Sequence, residues 1–271
     1  CRRSSRFDAG HAEAMPKIDF DPGLNGFPFG NWWEFDEVER QQFRDVVESH
    51  LNRLREKGGA FFGAIARFVV ARAITPIRIK LEDGLSAGGY GLCGGMAYAA
   101  LDFYRVGMPI PWMSEQGERP QSGSRLRGYL WRRQLQSFGR DIDRFLVWIV
   151  FLNWMPKLFR GGPSWLARES REEWYKLKAQ IDGGSPIPLG LVRNTVSPFE
   201  CHQVLALGYD ELDDDRRIIF VYDPNCPGQE SAVQFNLAGD DLAAQESCNA
   251  VELMGFFCED YRPEDPRRFL D

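Results

Sequence analysis

A cysteine, a histidine and an aspartate (Cys93, His202 and Asp223) stand in the order and surroundings that thiol-based acyl chemistry requires. A thiol attacks a carbonyl as the thiolate, and a helix N-terminus lowers its pKa through unpaired backbone N–H groups and the macrodipole. Of the six cysteines, Cys93 alone opens a segment of helical period. Met96, Ala99, Ala100 and Phe103 recur in GYGLCGGMAYAALDFY, and Gly107 with Pro109 ends it. Gly94 and Gly95 weaken a helix, so they are expected to admit a substrate backbone beside the sulfur.

The base is chosen from three histidines. His11 falls in a polar N-terminal stretch, and His50 sits mid-helix among Glu48, Asn52 and Arg53. His202 begins HQVLALGYD, a strand whose apolar run starts just after it, so the ring is held rigidly and still reaches a cleft. Asp223 follows a strand ending at Tyr222, and Pro224 stops that strand. If Asp213-Asp214-Asp215 is the tip of a hairpin joining the two strands, the Asp223 carboxylate can reach the imidazole. There it would fix the tautomer and stabilise the imidazolium. Asn225 is a second candidate for that role. Taken singly, each residue has a plainer reading: a buried thiol in a tight turn, a polar strand end, a turn-forming Asp-Pro-Asn. Together they put a nucleophile on the helical half and a base on the sheet half, meeting in a cleft between them.

The other cysteines add no chemistry. Cys201 neighbours His202, but adjacent strand residues face opposite sides, so it is read as a core thiol. Cys201, His202 and Cys226 match no standard zinc spacing, and no metal or cofactor is expected. With no CxxC pair in a chain this long, the cysteines do not read as a disulfide framework, which favours a reducing, cytoplasmic setting. The chain starts at Cys1 rather than Met, which leaves a lipoprotein or secreted form open.

The elements that must position these groups fall into two halves. Residues 1–35 read as an extended arm whose aromatic part, GLNGFPFGNWWEF, is expected to dock on the body. A helix is expected from Glu37 to Lys57, with Asp36 and Glu39 as a capping box and Gly58-Gly59 at its end. A second apolar helix, Ala60 to Ala73, should stop before Pro76. Between about 122 and 182 a helical insertion is expected, made of Ser124–Phe138, Asp141–Phe159 and Ser164–Ile181. Arg125, Arg127, Arg132 and Arg133 read as the solvated side of its first helix. The apolar run Phe145 to Met155 reads as a buried core helix, and its alternative is a surface for lipid or an apolar substrate. Beyond Gly183 come short strands: Pro188–Val192, Gln203–Tyr209, Arg217–Tyr222, Ala232–Asn236 and Val251–Phe257. Helices first and antiparallel strands later define an α+β fold, with 36–271 as one domain. A net charge of −6 argues against a nucleic-acid partner, and no run reaches the ~18 apolar residues of a transmembrane helix.

The segments GLCGGMAYAALDFY, CHQVLALGYD and IIFVYDPNCPG resemble the papain-like cysteine peptidase superfamily, and within it the peptidase C39-like branch of bacterial proteins. The resemblance implies a papain-like fold, with a helical half packed on an antiparallel sheet, and hydrolysis of a peptide, amide or other acyl substrate through a covalent acyl-enzyme. It carries nucleophile, base and orienter onto Cys93, His202 and Asp223. The arm motif NGFPFGNWW, the insertion and the final MGFFCEDY are not general features of that branch. One departure bears on mechanism. The glutamine that such peptidases place about six residues before the cysteine, to complete the oxyanion hole, is here Ala87. Losing one donor typically costs ~10²–10³ in rate, so Asn25, Asn31 or Gln203 would have to replace it. Two further functions fit the same residues: acyl transfer to another nucleophile, and a catalytically inactive papain-like module that binds a peptide or lipid.

Overall fold

The computed structural model describes residues 15–111, 118–154 and 163–270, with the backbone alone for 57–69 and 270. Helices and strands are segregated along the chain as expected: α1 (Pro22–Asn25), α2 (Glu37–Ser86), α3 (Cys93–Arg105), α4 (Arg125–Trp154) and α5 (Pro163–Asp182) precede every strand. The strands are β1 (Ile187–Arg193), β2 (His202–Glu211), β3 (Arg216–Tyr222), β4 (Glu230–Asn236), β5 (Ala244–Glu246) and β6 (Glu252–Cys258), and α6 (Arg267–Leu270) ends the chain. The sheet is not open. All six strands pair antiparallel in sequence order, and β1 pairs with β6 to close a barrel. The three-residue β5, which the sequence gives little sign of, bridges β4 and β6 and completes the ring.

Helix α2 begins with the expected capping box, Asp36 accepting from Glu39 N–H and Glu39 from Asp36 N–H. It does not end at Gly58-Gly59, nor stop before Pro76. It reverses instead. Arg44 donates to Glu82 at 2.8 Å and Arg78 to Glu48 at 2.7 Å, both pairs centred on residue 63. A straight helix would hold Arg44 and Glu82 ~57 Å apart at ~1.5 Å per residue. The two ends therefore lie side by side and send Phe43, Val47, Leu51, Ile77, Leu81 and Leu85 into one core. That burial offsets the hydrogen bond Pro76 cannot donate.

Helix α3 is buried on every side from Cys93 to Phe103, as a helix at the centre of a domain must be. Glycine lets α4 and β2 approach it. A Cβ on Gly95 would lie 2.3 Å from Leu130 O, and one on Gly94 would lie 2.1 Å from Gln203 Oε1 and 2.2 Å from Ser137 Oγ. Helix packing, not room for a substrate, accounts for this glycine pair.

Helix α4 runs unbroken through Gly139, where two helices were expected; residues 155–159 of the expected second stretch lie outside the described ones. Its Phe145 and Trp148 pack on Phe257 of β6, so this part of the apolar run is core. The basic face of α4 is half buried rather than solvated. Arg127 pairs with Glu39 at 2.8 Å and Arg133 with Asp102 at 2.7 Å, both guanidinium groups 2 % exposed. Arg132 does remain near the surface, paired with Glu264.

The arm lies on the barrel from Met15 onward, while its first 14 residues, His11 among them, lie outside the described ones. Ile18 N–H donates to Leu207 O and Tyr209 N–H to Pro16 O, adding a short edge to β2. Phe20, Phe27, Phe29, Trp33 and Phe35 then enter the core, which carries Asn31 to the start of α3. Among the described residues no helix is long and apolar enough to cross a membrane.

Candidate active site

Cys93 stands at the first position of α3, after Leu92, whose side chain offers no cap. Leu92 N–H donates to Asn31 Oδ1 at 2.5 Å, and Gly95 N–H donates to Gln134 Oε1 at 2.8 Å. Cys93 N–H and Gly94 N–H keep no hydrogen-bond partner among the described residues. The helix start therefore presents its partial positive charge beside the sulfur.

The β2–β3 hairpin brings in the other two groups. Asp213 Oδ1 accepts from Asp215 N–H and Arg216 N–H and closes the tip. The register then sets Leu205 opposite Tyr222, so His202 and Asp223 emerge at the same end of the barrel. His202 Nε2 lies 2.7 Å from Asp223 Oδ1, the two side chains 3 % and 1 % exposed. With Nε2 occupied, Nδ1 is the nitrogen left for the thiol, and the Cys93 sulfur is close enough to favour charge on this ring. Burial works against charge on the imidazole, but the Asp223 carboxylate and the Cys93 sulfur outweigh it and raise its pKa from 6.5 to about 10. Asp223 moves the opposite way. Burial pushes its pKa up, and the facing His202, the Asn225 N–H and the nearby Arg193 bring it below the usual carboxylate value.

Asn225 also approaches the ring, its Nδ2 3.2 Å from His202 Nε2. Its orientation is fixed from outside. Leu92 N–H and Trp33 Nε1–H both donate to Asn31 Oδ1, so Asn31 turns its amino group to Asn225 Oδ1 at 3.2 Å. That leaves the Asn225 amino group facing a nitrogen whose proton goes to Asp223. Two N–H donors that face each other form no hydrogen bond, so Asp223 rather than Asn225 holds the ring. Asn225 supports Asp223 through its own N–H, at 2.8 Å.

Of the candidate oxyanion donors, the amino groups of Asn31 and Gln203 are otherwise engaged. Asn25 Oδ1 accepts from Asp21 N–H within the α1 turn, and Asn31 bridges two loops. Gln203 reaches the sulfur, but with its oxygen: Cys93 Sγ lies 3.9 Å from Gln203 Oε1, while Gln203 Nε2 donates to Glu259 Oε1 at 2.6 Å. Glu259 belongs to the MGFFCEDY segment and went unrecognised in the sequence as a neighbour of this site.

Beside Cys93 is a cavity of about 20 Å³, bounded by Phe43, Tyr90, Phe138, Phe199, Cys201 and Gln203. It is about the size of one water molecule. Cys201 lines this same cavity from the turn that precedes β2, and burial raises its pKa to about 12. A larger surface pocket, about 580 Å³, opens over Asn31 and Asn225 with Trp32, Arg119 and Asn249 around it. His50 pairs instead with Asp143 of α4 at 2.7 Å.

The expectation that the cysteines form no disulfide framework is overturned at one pair. Cys226 and Cys248 form a disulfide, which removes Cys226 from any metal set. No group of three His, Cys, Asp or Glu side chains that could hold a metal ion occurs among the described residues. Sequence spacing could not reveal the bridge, because its half-cystines lie on separate loops that the pairing of β4 with β3 and β5 brings together. Compared with protein-family models, curated proteins and solved structures, the chain matches none.

Proposed function

We propose that this protein is a thiol hydrolase of papain-like type, acting on a peptide, amide or other acyl substrate. The observation that carries the reading is the His202–Asp223 hydrogen bond of 2.7 Å, made by a ring on which the sulfur of a cysteine at a helix start also acts. In this reading the imidazolium of His202 and the thiolate of Cys93 form the resting pair. The thiolate adds to the substrate carbonyl, and the developing oxyanion takes the unpaired Cys93 N–H. The C–N bond then breaks as His202 gives its proton to the leaving amine. A thioester remains. Water attacks it, His202 takes the water proton, and the acid and free thiolate are released. The Cys226–Cys248 disulfide favours an oxidising compartment over the reducing one first expected.

The test is site-resolved alkylation with iodoacetamide. Cys93 should react selectively at pH 6–7, ahead of Cys201 and Cys258, and His202→Ala should abolish that selectivity. Product analysis with added amines then separates hydrolysis from acyl transfer.

One observation favours a second reading, a non-catalytic binding module. The cavity described beside the sulfur is water-sized, and Phe199 from the Pro198–Glu200 turn lines it. A Cys93 that stays unlabelled at pH 6–7 in the native protein and labels only on unfolding decides for that reading.

A further inference from the structure

Near Cys93, and joined to it through Gln203, a buried carboxyl has no part in the reaction just described. Glu259 is 7 % exposed, with Oε1 held by Gln203 Nε2 at 2.6 Å and Oε2 without a hydrogen-bond partner. Gln203 spans the gap from that carboxyl to the sulfur. We propose that Glu259 is a positioning residue acting through Gln203: ionised, it holds the amide with its oxygen toward Cys93, and protonated, it turns the amide N–H toward the sulfur instead. The inference rests on Cys93 being the working nucleophile.

The chemistry follows from donor and acceptor counting. An ionised carboxylate only accepts, so it must take the Gln203 N–H, and the amide oxygen then faces the sulfur. An oxygen in that place accepts from a neutral S–H and repels a thiolate. A protonated carboxyl has an O–H to donate. It can give that proton to Gln203 Oε1, and a half-turn of the amide, which hardly changes its shape, then offers an N–H to the thiolate. Gly94 supplies the space, since a Cβ there would lie 2.1 Å from Gln203 Oε1.

The surroundings determine which form prevails. Tyr98 and Cys93 of α3, Asp141 of α4 and Gln203 of β2 act directly on the Glu259 carboxyl. Arg144 of α4 and Glu173 of α5 reach the backbone of the adjoining Cys258. Burial and the neighbouring Asp141 both favour the protonated carboxyl and raise its pKa well above the ordinary value. Asp141, bonded to Tyr98 at 3.2 Å, is itself shifted by burial to about 6.

The experiment follows the ¹³Cβ resonance of Cys93 against pH in protein labelled with ¹³C-cysteine, assigned with Cys93→Ser. This signal reports thiolate whether or not the protein turns over any substrate, so it remains readable if the hydrolase proposal fails in the alkylation test. The native protein should show a second step above the usual carboxylate range. Across that step the thiolate becomes less favoured by about tenfold, one pKa unit. Glu259→Gln and Gln203→Met, both close in size to the originals, should each lose the step. A step that persists in either variant overturns the proposal, and one lost in Glu259→Gln alone shows a direct charge effect in place of the relay. A native curve with no second step overturns it as well.

Discussion

Asn31 Nδ2 and Asn225 Oδ1 lie 3.2 Å apart although 194 residues separate them in the chain. Through this bond the arm ties together the two loops that matter most. Asn31 also accepts from Leu92 N–H, one residue before Cys93, and Asn225 braces Asp223. Replacing Asn31 by Ala leaves the Leu92 N–H and the Trp33 Nε1–H unpaired and frees the Asn225 side chain. The expected loss of stability is about 1–3 kcal/mol for each unsatisfied buried group. Cys93 alkylation at pH 7 should slow by on the order of ten- to a hundredfold, because small misplacements of reacting groups are expensive. Chemical denaturation and site-resolved labelling on one preparation measure both effects.

The His202–Asp223 pair should make stability depend on pH at both ends. His202 has its pKa raised from 6.5 to about 10, so its contribution is fully present below pH 6.5 and fades as pH rises through about 10. Asp223 is shifted downward from 3.8, so its contribution is present above that pH and disappears as pH falls through the lower folded value. Asp223→Asn removes the charge and keeps the shape. The difference in Tm between native protein and variant should be largest near pH 5–6, shrink toward pH 10, and shrink again in acid. A difference that stays flat from pH 5 to 10 would show that the ring is not charged in the folded protein.

How much of this was legible in the sequence depends on the range of the interaction. The helix start at Cys93 and the Asp213–Asp215 hairpin tip are set by neighbouring residues, and both could be read locally. The bond between His202 and Asp223 follows from that hairpin once its register is known. Asn31 was legible only as one amide among several, because its role depends on where an aromatic arm docks. Gly94 and Gly95 were misread for the same reason. A glycine tells that something approaches closely, but not that the thing approaching is Gln203 or the α4 backbone. Arg127 and Arg133 look solvated until Glu39 and Asp102 are seen opposite them. Glu259 gave no signal, since its partner Gln203 lies 56 residues earlier and the contact exists only because β1 pairs with both β2 and β6.

Two glycines of the helical half should respond oppositely to alanine. Gly128 lies on the exposed side of α4 with nothing within 4 Å of an added Cβ. Gly128→Ala should stabilise the protein by up to about 1 kcal/mol through helix propensity. Gly94→Ala places a methyl group in contact with Gln203 and Ser137, so one of these side chains must move. Overpacking of this kind costs about 1–3 kcal/mol. It should also change the pH dependence of Cys93 labelling, which Gly128→Ala leaves alone. Thermal melts of the two variants beside the parent decide the signs.

The disulfide is placed to matter for the site as well as for stability. Cys226 follows Asn225, and Cys248 precedes Asn249, so the bridge joins two walls of the surface pocket beside His202. Its half-cystines are 22 residues apart, and closing a loop of that length is worth about 3 kcal/mol in the chain-entropy treatment. Replacing both by Ser should cost roughly that amount, seen as a lower denaturation midpoint with an unchanged slope. The Asn225 loop would also lose its anchor, so Cys93 labelling should slow in the double variant even where the protein remains folded. Non-reducing peptide mapping of the native protein should recover the segments around Cys226 and Cys248 as one cross-linked species. Recovering both as free thiols from protein never exposed to reductant would remove the bridge and, with it, the argument for an oxidising compartment.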